Sequence, residues 1–147
     1  MVFSNIGDGG EVSAQQQALR PRILLVDDDV TFGKIMKKMA SKLDLPLHYV
    51  SSANELIHLP KDNFDVGIFD YDLGTITGVQ LSDIVEKYMG KIPVLLVSSY
   101  GRIENRKWPG LVQGFIPKSQ GFHAILAEAC KMHEDNLGKQ TEDVSLN

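Results

Sequence analysis

Short apolar runs punctuate the chain, each the length of a strand and each followed by polar residues. They are Ile23-Leu24-Leu25-Val26, Val66-Gly67-Ile68-Phe69, Val94-Leu95-Leu96-Val97 and Gly114-Phe115-Ile116-Pro117, with a shorter run at Leu47–Val50. Unbroken rather than alternating hydrophobicity is the mark of strands covered on both faces. Between the runs the apolar period changes to that of a helix. Phe32, Ile35, Met36 and Met39 predict a first helix, with Lys34, Lys37 and Lys38 mainly on its solvated face. Leu56, Ile57 and Leu59 predict a second, capped by Ser51 or Ser52 and stopped by Pro60. Val79, Leu81, Ile84, Val85 and Tyr88 predict a third that ends near Gly90. A last helix is expected from about Ser119 to Glu134, with Phe122, Ile125, Leu126 and Ala129 on the sheet. Strands alternating with helices predict an α/β fold, a doubly wound parallel sheet.

The pattern weakens in three places. Residues 1–20 and 136–147 lack a sustained period and are expected to be flexible tails around one domain spanning 21–135. Between Ser98 and Lys118 a helix is due, yet Gly101, Pro109 and Gly110 leave room for barely two turns. With Ile103 and Trp108 as its obvious anchors, that element should be short, irregular or mobile.

Composition narrows the functional classes. A formal charge of -4 over 147 residues argues against a nucleic-acid binder. The apolar runs fall far short of the roughly 20 residues that span a bilayer, and no signal peptide is visible. The single cysteine, Cys130, excludes an internal disulfide and fits a reducing, cytoplasmic setting. His123, Cys130 and His133 could share a helix face, but they lack a fourth ligand. Cys130 is expected in the core with both histidines at the surface. Gly7-Asp8-Gly9-Gly10 is no phosphate loop, since no strand precedes it.

Chemistry enters at the strand ends, where open parallel sheets gather their functional groups. The first strand ends in Asp27-Asp28-Asp29, the third in Asp70, the fourth in Ser98-Ser99, and the fifth delivers Lys118. Asp29 is expected to cap the first helix. Clustered carboxylates repel, and a hard divalent cation such as Mg²⁺ (or Mn²⁺) relieves that repulsion through one or two of them plus a carbonyl. Asp28 and Asp70 are the best direct ligands, with Asp27 direct or through water. Lys118 can pair with phosphoryl oxygens, Ser98 can donate its hydroxyl, and the Ser99 N–H can help. The set suits a carboxylate that reversibly accepts a phosphoryl group.

These residues in this order resemble the receiver domain of two-component response regulators. The likeness rests on Leu25-Val26-Asp27-Asp28, Phe69-Asp70-Tyr71-Asp72-Leu73 with Gly78, Val97-Ser98-Ser99 and Phe115-Ile116-Pro117-Lys118, and covers roughly residues 21–135. It implies a flavodoxin-like, five-stranded sheet in the order 2-1-3-4-5. It implies Asp70 as phosphoacceptor, Asp27 and Asp28 as the acidic pocket, and the Asp72 backbone carbonyl as a metal ligand. Ser98 and Phe115 match the switch pair and Lys118 the phosphate-contacting lysine. A histidine kinase or histidine phosphotransfer protein would be the donor. A stand-alone, chemotaxis-regulator-like receiver is expected, monomeric or weakly dimeric and without nucleic-acid or membrane partners. It would be no enzyme beyond self-catalysed phosphorylation and dephosphorylation, and its output would be docking or phosphorelay. Gly74 and Ser119 depart from the family by replacing frequent prolines, as does the weak fourth helix.

Other readings compete. Asp70-Tyr71-Asp72-Leu73-Gly74-Thr75 looks like the signature of haloacid-dehalogenase-type phosphohydrolases, in which the second Asp is the acid/base. Thr75 falls one position late, and the motif sits on the third strand. A degenerate receiver would serve only as a docking module.

Overall fold

The computed structural model describes residues 20–99 and 107–145. Most of the expected N-terminal tail lies outside these residues, as does the 100–106 part of the expected irregular helix. Five parallel strands form one sheet: β1 (Ile23–Val26), β2 (Leu47–Val50), β3 (Val66–Asp70), β4 (Val94–Ser98) and β5 (Val112–Pro117). Their order is β2-β1-β3-β4-β5, as expected. Three α-helices are described, α1 (Val30–Lys42), α2 (Gly78–Met89) and α3 (Phe122–Ser145), with 3-10 turns at Ala53–His58 and Lys118–Gln120.

β1, β3 and β4 are buried at every position because layers cover both faces of the sheet. On one side Ile23, Leu25, Ile68 and Leu95 pack against Phe32, Met36 and Ala40 of α1 and Ile125, Leu126 and Ala129 of α3. On the other, Leu24, Val26, Phe69 and Leu96 pack against Leu81, Val85 and Met89 of α2. Each fully buried Leu, Ile or Phe contributes about 1.5–3 kcal/mol over an exposed one. These central strands therefore anchor whatever their ends carry.

Asp29 caps α1 as expected, its side chain accepting the Phe32 N–H at 3.1 Å. α2 begins with a capping box in which Thr77 and Gln80 bond each other's backbone N–H. The Thr-x-x-Gln spacing carried that signal in the sequence.

Four expectations change. The second helix is only a six-residue 3-10 turn, and Ile57 is 75% exposed; the Ser-Ser entry and Pro60 leave too few residues to propagate an α-helix. Ile35, Ile84 and Tyr88 are exposed rather than core-facing. The last helix opens at Phe122, after the 3-10 turn, and continues to Ser145 through the segment expected to be a tail. No proline interrupts it, and Gly138 alone does not break it. His133 is buried rather than at the surface, while Cys130 is buried as expected and His123 is exposed. Burial, then Glu134, pushes the Cys130 thiol up to about 12. Lys107–Leu111, the described residues leading into β5, carry no helix.

Candidate functional site

Register alone assembles the site. Val26 pairs with Phe69, Asp70 with Val97, and Ser98 with Pro117. Each functional residue lies level with, or one step beyond, a paired position, so Asp27, Asp70, Ser98 and Lys118 reach the same rim. Asp28, Asp29, Asp70, Asp72, Gly74, Ser98, Ser99 and Lys118 line a cavity of about 250 Å³ there. Asp27 is fully buried, Asp70 7% exposed and Ser98 2% exposed.

One carboxylate oxygen from each of Asp27, Asp28 and Asp70 lies within 4.8 Å of the other two. Asp70 Oδ1 accepts the Asp72 N–H at 3.3 Å, and Oδ2 lies 3.5 Å from Lys118 Nζ. The ammonium comes closer to Asp27 Oδ2, at 2.7 Å, the distance of a charge-assisted contact. Burial first, and the Asp27 charge next, push Asp70 up to about 7 against the pull of Lys118. Burial also works against the Lys118 ammonium, yet Asp27 and then Asp70 outweigh it and raise its pKa. The site thus holds more negative charge than one lysine balances.

These donors fit a hard divalent cation. They are all oxygens, they converge, and burial first and the Asp27 charge second raise the Asp70 pKa, both of which a cation would offset. The described residues contain no other such cluster, so the His123, Cys130 and His133 face is not one. A larger cavity of about 750 Å³, lined among others by Arg22, Asp44, Asp65 and His133, holds no such group of three among the described residues.

Asp72 behaves differently from its neighbours. Its side chain is turned back to accept the Gly74 N–H at 3.0 Å, and Gly74 adopts φ +85. Glycine permits that left-handed turn where the family often has proline. Phe115 sits opposite Leu96 on β5 and packs half-buried on the α2-side core, outside the cavity lining.

Two contacts were not legible in the sequence. Lys118 Nζ lies 4.3 Å from the centre of the Phe32 ring, which helps seat the ammonium beneath the acids. Trp108 meets Tyr71 edge-on at 6.1 Å, tying the segment before β5 to the residue after Asp70. Helical spacing marked Phe32 only as core, and nothing local linked Trp108 to Tyr71.

The family description "Response regulator receiver domain" matches residues 23–128. The chain belongs to that family. This receiver domain is 31% identical over 107 residues to the two-component response regulator named ARR21 of Arabidopsis thaliana, covering 71% of this chain and 18% of that protein. It is 28% identical over 110 residues to ARR13 of the same plant, covering 71% and 19%. The receiver domain thus spans less than a fifth of the length of these relatives. Among solved structures, a CheY-like receiver from Methanospirillum hungatei superposes with a TM-score of 0.68 at 20% identity, covering 80% of this chain and 97% of that one. TrrA of Thermotoga maritima, solved with Mg(2+)-BeF, gives 0.63 at 18% identity, covering 76% and 97%. These likenesses support the receiver fold, and no described helix is long and apolar enough to cross a membrane.

Proposed function

We propose that Asp70 is the phosphoacceptor of this receiver domain and works with Mg²⁺ or Mn²⁺. The observation that carries the reading is the convergence of Asp27, Asp28 and Asp70 within 4.8 Å, with Lys118 3.5 Å from Asp70. A carboxylate oxygen of Asp70 attacks phosphorus, the bond from phosphorus to the donor's leaving atom breaks, and an acyl phosphate forms. Asp27, Asp28, Asp70 and the Asp72 carbonyl would hold the cation, which supplies charge neutralisation on the phosphoryl oxygens. Lys118 pairs with one phosphoryl oxygen, and the Ser98 hydroxyl and Ser99 N–H donate to others. Drawing Ser98 inward vacates space beside β4, into which Phe115 turns.

The donor would be a histidine kinase or histidine phosphotransfer protein, acting in the cytoplasm. Output would be through protein docking or onward transfer. The solved Mg(2+)-BeF complex of TrrA supports the cation reading by analogy of fold. The geometry of Asp72 weighs against the phosphohydrolase alternative, because one of its carboxylate oxygens is turned back to accept the Gly74 N–H. The converged acceptor set weighs against a purely docking role.

Incubation with acetyl phosphate should place an acid- and base-labile phosphoryl group on Asp70 only when Mg²⁺ or Mn²⁺ is present. Label on a serine, or label independent of metal, refutes the assignment. Sustained phosphomonoester hydrolysis that collapses in Asp72→Ala would favour the phosphohydrolase instead.

A further inference from the structure

Tyr49 occupies the edge strand β2 beside β1, with its ring half-buried. Its hydroxyl donates to the Asp27 carbonyl at 2.7 Å and reaches the Asp29 carbonyl at 3.5 Å. In the same turn Asp27 Oδ1 accepts the Asp29 N–H at 2.9 Å, and Asp29 in turn caps α1. The tyrosine ring lies directly against α1 at Gly33, where an added Cβ would fall 2.2 Å from ring Cζ. No real pair of atoms tolerates that approach. Glycine is a poor residue for a helix interior, so α1 gives up intrinsic stability at the one place where the ring must sit.

We propose that Tyr49, seated on Gly33, is a positioning residue for the divalent-cation site. It clamps the Asp27–Asp29 turn so that the carboxylates of Asp27 and Asp28 stay aimed at Asp70. The inference rests on the cation reading above. Three acids within 4.8 Å repel one another, and the turn between β1 and α1 is where that repulsion could be relaxed by swinging Asp28 outward. The single hydroxyl proton goes to the Asp27 carbonyl, with the Asp29 carbonyl a longer second contact, so the hydroxyl touches the backbone on either side of Asp28.

The test is a Mg²⁺ titration of the whole chain followed by backbone amide shifts of residues 27–32, well below the unfolding temperature. Tyr49→Phe keeps the ring and should weaken Mg²⁺ binding about three- to tenfold, the worth of one net hydrogen bond. Gly33→Ala should weaken it at least as much by expelling the ring. In a Tyr49→Ala background, Gly33→Ala should cost nothing further, because the clash is gone. A Tyr49→Phe protein that binds Mg²⁺ like the wild type while melting earlier would overturn the proposal, leaving Tyr49 a packing residue. Additive effects of the Gly33 and Tyr49 changes would overturn it too. Wild-type protein that shows no saturable Mg²⁺ binding would overturn the cation reading, and this inference with it.

Discussion

Asp65 and Asp70 stand at opposite ends of β3, one just before the strand and one as its last residue, and the same side chain behaves oppositely at each. Asp65 accepts the Arg22 N–H at 2.8 Å and meets the guanidinium at 3.0 Å through both oxygens. Burial alone would raise its pKa, but the Arg22 hydrogen bonds and charge outweigh burial and hold it below the ordinary value. Asp70 is more deeply buried, faces another carboxylate, and is pushed up to about 7. A carboxylate with its partner built in is structural. A carboxylate crowded against its own kind is a candidate functional group.

The largest expected effect separates the two by function. Asp70→Asn should abolish phosphorylation by acetyl phosphate, while Asp65→Asn should leave it intact. Phosphoryl uptake lost in both variants would erase the distinction between the two ends. The next effect is on the metal. Asp27→Asn should weaken Mg²⁺ binding by about tenfold or more, since cation sites of this kind rely on few carboxylates. It should also bring the Asp70 pKa down, measurable by carboxyl carbon shifts.

The two ends should also differ in how stability follows pH. Asp70 binds its proton more tightly folded than unfolded, so metal-free stability should fall as pH rises from near 3.8 to about 7 and level off above. Asp70→Asn should remove that fall, and added Mg²⁺ should offset it at neutral pH. Asp65 has the opposite sign. Its lowered pKa gives stability that is present above the ordinary carboxylate range and lost as pH falls through its folded value. Thermal melts in chelator across acid and neutral pH, wild type against each variant, read both slopes. The smallest effect is the direct cost of Asp65→Asn at neutral pH, about 1 kcal/mol, because the Arg22 side chain is 46% exposed and its pairing is screened.

Much of this contrast could be read from the sequence at one end and little at the other. β1, β3 and β4 announced themselves because burial on both faces leaves unbroken apolar runs, and the polar residue that ends each run marks the rim. Parallel register then brings those rim residues together. Arg22 and Asp65 gave no comparable signal, since a salt bridge between positions 43 apart has no local pattern. Tyr49 was equally silent: its place inside a short strand said nothing about the carbonyls it would reach. The length of α3 was hidden because its last turns carry few apolar residues, so no period marked them. The 3-10 turn at Ala53–His58 misled in the other direction, offering three apolar residues at helical spacing in a segment too short to hold an α-helix.

The register that gathers Asp27, Asp70, Ser98 and Lys118 makes the site sensitive to parity. Successive strand residues face opposite ways, so one residue inserted within β3 or β4 would turn every later side chain of that strand to the other layer. Replacing Ile68 by valine keeps the count and only trims a buried contact. Adding a residue beside it changes the count and misdirects Asp70. Divergence of this domain should therefore run freely through amino-acid exchange within the strands and through changes of length in the connection from Leu59 to Asp65. Within the three central strands, length should be the quantity held constant.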